Sequence, residues 1–430
     1  MKKGYLLIAA LALVLMVFQV PEAKAATEWN KKEDAIEVET GPYTFHGYTS
    51  VDDKFCWIYW IEINPYKADQ ATELTIPSEL MGRTVTRIGY DIPDDRKVSC
   101  YNNLFGIKVE KLGEEEDSCD GYLPKLENLT KIEIPDTVEQ IEATCFAGVK
   151  YLKFIELPPN VKNIKEDTFY GCENLEKIVL PKNLESIILE AFQECPKLND
   201  LEISSESENF EVKNGILIEK KTKRALMTGR VVENITIPKG VKVLGKRFLA
   251  DSVVKKLSIP ASVEKIEIGA LDGDCIQNIS IAKSNKYYGW DGQCMYHKKK
   301  RTLLAVKATK KGYVRISNKV KYIKDAPIAL GVKVKVLVIP ASVKRINKDG
   351  LVIARSVMYE FYKVYFLGKK PPKIFSTKAW ATAAYSSILN EVYVRKKALP
   401  AFKNKYNEYG NVWLANSWHT FKPKELKKLK

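Results

Sequence analysis

Residues able to shuttle protons at neutral pH are scarce and scattered in this chain. His46, His297 and His419 are its three histidines, and no G-x-S-x-G, H-E-x-x-H or C-x-x-C spacing accompanies them. Nucleophilic catalysis needs a base within hydrogen-bond reach of its nucleophile, and nothing in the spacing supplies such a pair. Glu114-Glu115-Glu116-Asp117 has carboxylates enough for a cation. It lacks the alternating ligands and glycine of a calcium loop, so a solvated acidic loop is the favoured reading. Eight cysteines are too few and too dispersed for a zinc-rich or disulfide-dense scaffold. No cofactor, no metal and no enzyme activity is expected.

Charge is the chemistry this chain has in quantity. Its 430 residues hold 69 Lys+Arg against 53 Asp+Glu, a net of +16. Residues 26–279 carry 32 basic and 45 acidic side chains, whereas residues 280–430 carry 34 against 7. The basic part is concentrated in Lys298-Lys299-Lys300-Arg301, Lys369-Lys370, Arg395-Lys396-Lys397 and a tail through Lys424, Lys427, Lys428 and Lys430. Such a region attracts polyanions over a Debye length, about 8 Å at physiological salt. The alternative is that these lysines only keep a sticky fold soluble.

The elements that position these charges follow from an internal repeat. Leu129, Leu152, Leu175 and Leu198 are each 23 residues apart. The same step relates Ile132, Ile155, Ile178 and Leu201, then Ile134, Leu157, Leu180 and Ile203. It relates Val138, Val161 and Leu184, then Ile141, Ile164 and Ile187, and finally Phe146, Phe169 and Phe192. An I-x-I pair has the period of a strand, with two residues inward and one outward. Pro135, Pro158, Pro181, Pro238, Pro260 and Pro340 follow such pairs, ending the strand by removing a donor. One unit of this length cannot bury its apolar side, but stacked units share a continuous core. The expected fold is a β-rich solenoid of 23-residue units with a parallel strand ladder on one face.

"LTKIEIPDTVEQIEATCFAGVKY", "LKFIELPPNVKNIKEDTFYGCEN" and "LEKIVLPKNLESIILEAFQECPK" resemble the BspA-like leucine-rich repeats of bacterial secreted and surface proteins. "LTIPSELMGRTVTRIG" (74–89) is similar to that family's first repeat, and "EVYVRKKALPAFKNKY" (391–406) to its closing segment. The resemblance spans roughly residues 70–410, with Ser204, Ala282 and Ser317 replacing the proline. It implies a leucine-rich repeat protein displayed or secreted for binding, some relatives being adhesins for host matrix glycoproteins.

Lys2 and Lys3, an apolar stretch from Tyr5 to Val20 and Ala23-Lys24-Ala25 read as a signal peptide, 1–25. Residues 26–73, rich in aromatics, are expected to form an N-terminal β cap, and 74–398 the solenoid. An acidic insertion, 91–125, reads as a long loop. The 23-residue step breaks at 211–228 and 289–307, where Asn214-Gly215 and Asp291-Gly292 begin two β-hairpins expected to protrude from one side. Residues 399–430 are expected to be a C-terminal cap and basic tail. Cys172 and Cys195 share one repeat column, as reduced thiols or a disulfide, with thiols favoured. Cys100 and Cys119 could close a disulfide across the insertion.

Outward ladder positions run Glu133, Glu156, Val179, Glu202, Thr236, Ser258, Ser280, Arg315, Val338, Tyr365, Tyr393, from acidic to basic and aromatic. Candidate ligand-binding residues are therefore Arg315, Tyr365, Tyr393, Lys298, Lys299, Lys300, Arg301, Arg395, Lys396 and Lys397. The expected function is non-catalytic binding of an extracellular protein or glycan, or of an anionic wall or surface polymer. No base-stacking or groove-reading motif supports specific nucleic-acid binding. Two rivals stay open: a wall-associated structural protein assembling head to tail through opposite charges, and a hydrolase or glycan-binding activity in the cap. Secretion is the expected location, with no membrane span after residue 25.

Overall fold

The computed structural model describes residues 29, 36–90, 100–102, 104–105, 108–110, 128–271, 276–324, 328–330, 334–347, 362–374, 389–407 and 418–428. The chain divides into two compact units, 1–195 with 202–208, and 196–201 with 209–430. Each is a parallel β-solenoid.

In the first unit the long ladder comprises Glu73–Thr75, Lys131–Glu133, Phe154–Glu156 and Lys177–Leu180, all parallel. Leu74, Ile132, Ile155 and Ile178 are successive partners and are fully buried. After each strand a proline carbonyl closes the turn: Pro135 accepts from Val138 N–H, Pro158 from Val161 and Pro181 from Leu184, at 3.0–3.2 Å. The ring thus ends the strand while its carbonyl fixes the exit, which buries the valine or leucine three residues on.

The single ladder expected from the spacing is joined by a second, very short one. Arg83–Ile88 pairs in parallel with Gln140–Ile141, and Asn163–Ile164 pairs with Ser186–Ile187. Two residues per strand suffice because buried backbone groups on the return path need partners, and the next coil provides them. On the far side Phe146, Phe169 and Phe192 stack with centroids 5.6 Å apart. Cys172 and Cys195 are buried, unbridged thiols there, with Sγ donating to the carbonyls of Phe146 and Phe169 at 3.2 and 3.0 Å.

The expected protruding hairpins are instead part of the wall. Phe210–Lys213, Ile216–Glu219 and Arg224–Thr228 form an antiparallel meander whose last strand runs parallel to Val243–Leu244. Tyr288–Trp290, Cys294–His297 and Thr302–Lys307 do the same against Tyr322–Ile323. Ile216, Leu217 and Ile218, like Cys294 and Met295, are buried on both faces of their strands. Consecutive apolar residues cannot stand in water on a free hairpin, so these strands are walled in while their turns reach solvent.

The same meander opens the first unit as Ile36–Thr40, Tyr43–Thr49 and Phe55–Ile63, the last parallel to Arg83–Ile88. Part of the expected long loop is also ordered into the core. Cys100–Asn102 pairs with Lys108–Glu110, and between them Leu104 links Cys145 to Ile61 by backbone hydrogen bonds of 2.9 and 2.8 Å. The signal-peptide reading, the acidic run and Cys119 lie outside the described residues.

In the second unit the long ladder comprises Asn234–Thr236, Lys256–Ile259 and Asn278–Ile281. A second parallel sheet comprises Tyr313–Arg315, Val336–Ile339, Tyr362–Phe366, Leu389–Val394 and Trp418–Thr420. Helix Leu399–Asn407 covers it with Phe402, fully buried against Phe366 at 5.2 Å.

The central ring of the phenylalanine stack carries the clearest stability prediction. Phe169→Ala should cost about 3–5 kcal/mol, the range for emptying a buried aromatic site, read as a shift in the urea unfolding curve. A cost under about 1 kcal/mol would show that the far side collapses around the gap.

Candidate functional site

The candidate binding residues do not gather in one place. Arg315, Tyr365 and Tyr393 share a column of the second unit's second parallel sheet, in which Arg315 partners Val338, Val338 partners Tyr365, Tyr365 partners Tyr393, and Tyr393 partners His419. Arg315 is exposed, but Val338 is 0% and Tyr365 only 6% exposed. Phe421 sets its ring edge on Tyr365 at 5.3 Å and, with Leu426, completes an apolar cluster over Tyr313, Val338 and Tyr365. Tyr365 is therefore not an open ligand contact, because the end of the chain lies across it. Burial pushes its hydroxyl up to about 12. Tyr393 stacks between Tyr365 and His419 at 4.4 and 4.8 Å. Its hydroxyl donates to Glu391, which also pairs with Lys363 at 3.0 Å.

The run Lys298–Arg301 forms the turn between Cys294–His297 and Thr302–Lys307. Two of its four cations are tethers. Lys298 Nζ donates to the Asn285 carbonyl, and Arg301 donates to the carbonyls of Lys319 and Asn318 at 2.8 and 3.3 Å. Lys299 and Lys300 are exposed and have no ion-pair partner among the described residues. Beneath the turn His297 is 9% exposed, its Nδ1 accepting from the Lys300 backbone N–H at 3.1 Å. Burial, followed by the charge of Lys300, holds its imidazole below the ordinary range. Arg395, Lys396 and Lys397 are exposed on the short turn leading into helix Leu399–Asn407. Among the described residues, no hydrogen bond, ion pair or ring contact joins these three groups.

What the outward-position reading missed is a file of cations continuing from the basic turn along the short ladder. The Arg301 carbonyl accepts from Lys321 and Tyr322 at 2.8 and 3.1 Å. The Lys321 carbonyl accepts from Lys344 and Arg345 at 2.8 and 3.4 Å, and that of Lys344 accepts from Lys373 at 2.8 Å. Lys344, Arg345 and Lys373 are exposed, and Lys321 is half-buried. Val320-Lys321-Tyr322-Ile323 and Val343-Lys344-Arg345-Ile346 signal it, since each places basic residues at the same point of its coil.

Chemistry beyond charge is sparse. Among the described residues no group of three or more His, Cys, Asp or Glu could hold a metal ion. Burial pushes the Cys56 and Cys294 thiols up to about 12, keeping them protonated and unreactive.

A family model described as the BspA type leucine rich repeat region matches six copies within residues 122–214 and 222–298. Among solved structures the chain is similar to the pneumococcal vaccine antigen PcpA at 14% identity, over 91% of this chain and 100% of that one, with a TM-score of 0.43. It is similar to a leucine-rich repeat protein from Eubacterium ventriosum at 14% identity, over 85% and 88%, with a TM-score of 0.37. A leucine rich cell surface protein from Faecalibacterium prausnitzii is similar at 16% identity, over 74% and 92%, with a TM-score of 0.34. No curated protein matches the chain.

His297 gives a pH prediction. Its imidazole is harder to protonate in the folded chain than in the unfolded one, which takes up a proton below about pH 6.5. The unfolded state then binds more protons, so this contribution to stability falls as pH drops through that value. His297→Gln should shrink the loss of urea-midpoint stability between about pH 7.5 and about pH 5.5. An identical loss in the variant would show that the imidazole does not titrate against folding.

Proposed function

We propose that this chain, which matches the BspA type leucine rich repeat over residues 122–214 and 222–298, is a non-catalytic binding protein that acts outside the cell, at or near a surface, and holds anionic macromolecules through its basic C-terminal third. The observation that carries this reading is the 34 to 7 excess of basic over acidic residues in 280–430. Lys299, Lys300, Arg315, Arg395, Lys396 and Lys397 support it by keeping their charges at the surface. The export-type N-terminus and the repeat's resemblance to secreted and surface proteins support the location. Burial of Tyr365 argues against recognition by an aromatic face on the second parallel sheet.

Binding of the purified chain to immobilised anionic polymers and matrix glycoproteins tests this. Retention on anionic polymers should weaken at least tenfold between about 50 and 200 mM salt, as expected when several cations release counterions. Salt-insensitive capture by one glycoprotein would replace the charge reading with shape recognition. No capture by any ligand would end it.

A further inference from the structure

The second unit contains one short-ladder arrangement twice, and the two copies carry different charges at corresponding positions. In the first copy Arg224–Thr228, Val243–Leu244 and Lys265–Ile266 pair in parallel. Three of its cations have carboxylate partners. Lys242 pairs with Glu264 at 3.2 Å, while Glu267 takes Lys265 at 2.9 Å and Arg224 at 2.5 Å.

The second copy is Thr302–Lys307, Tyr322–Ile323, Arg345–Ile346 and Lys373–Ile374, paired in the same order. Backbone hydrogen bonds fix which residues correspond. Glu264 N–H donates to the Lys242 carbonyl as Lys344 N–H does to that of Lys321. Glu267 N–H donates to Leu244 as Asn347 N–H does to Ile323. Lys344 therefore stands where the first copy has one carboxylate, and Asn347 where it has the other. Among the described residues, no carboxylate forms an ion pair with Arg301, Lys321 or Lys344.

Backbones one coil apart are about 4.8 Å apart along the ladder, which makes their like-charged side chains neighbours. Their mutual repulsion is an electrostatic cost that an anion lying along the file would remove. A single small anion meets one rung. A polymer with regularly spaced charges meets Arg301, Lys321 and Lys344 in turn. Ammonium groups are compact point charges on flexible stems, suited to repeated phosphates without fixed orientation. Tyr322 is the one aromatic side chain in this file. One ring is no platform for successive bases or sugar rings.

We propose that this file, flanked by Lys299 and Lys300, is a docking track for a linear polymer with a phosphate backbone. This rests on the anionic-ligand reading of the basic third and narrows it to one surface and one chemistry.

The test uses long-chain inorganic polyphosphate as probe, with orthophosphate and a sulfated glycan of matched charge as comparators. Lys344→Glu with Asn347→Glu installs the first copy's carboxylates in the second. Lys396→Glu with Lys397→Gln makes the same change in net charge on the other exposed turn. The track variant should lose at least tenfold in polyphosphate affinity at unchanged or higher melting temperature, the control less than threefold, and orthophosphate should not bind. Lys321→Gln with Lys344→Gln should also weaken binding, which covers the case of a track variant that folds poorly. Equal losses in both charge-matched variants, wild-type affinity in the track variant, or tighter binding of the sulfated glycan would overturn the proposal. Binding that depends on Lys396 and Lys397 instead would leave the general function standing and remove the track. No binding by the unmodified chain would remove both.

Discussion

A 23-residue coil of this chain has one apolar side and no way to cover it alone, so each coil folds only against its neighbours. That constraint converts sequence position into column position. Ile132, Ile155 and Ile178 lie one above another because their backbones pair in register, and Phe146, Phe169 and Phe192 stack for the same reason. The prolines keep the register by ending each strand at the same residue and closing the turn with their own carbonyl.

Columns act on charges as they do on rings. A glutamate one coil from a lysine becomes an ion pair, as with Lys162 and Glu185 at 3.1 Å or Lys242 and Glu264 at 3.2 Å. A lysine one coil from a lysine becomes a repulsion repeated along the ladder, as at Lys321 and Lys344. Exposed ion pairs contribute little stability individually, about 0–1 kcal/mol, so exchanging carboxylates for Lys344 and Asn347 costs the fold little. It changes what the surface attracts far more. The fold is thus indifferent to the sign of these columns, which leaves them open to specify a ligand.

The repeat and its strand were legible because six apolar columns keep one spacing, a pattern no ordinary core requires. The short ladder was not, since two-residue strands such as Asn163–Ile164 show no alternation to read. The meanders were misjudged at their basic turns, which are solvated, while Ile216–Ile218 and Cys294–Met295 announce burial on both faces. The segment 36–63 hid the same meander behind its aromatic content. Tyr365 failed as a contact because Phe421, distant in sequence, folds over it, and no local pattern encodes that cover. Lys299 and Lys300 stand out as exposed cations from their run alone, whereas the alignment of Lys321 with Lys344 needs the coil register to be known first.

Hydrogen exchange on the intact chain, with and without saturating polyphosphate, tests most directly whether the basic column of the short ladder is what this protein uses to bind. The account predicts slowed exchange at the amides of 301–302, 321–323 and 344–347, with 256–281 unchanged. Protection centred on 395–407, or none anywhere despite binding, would contradict it.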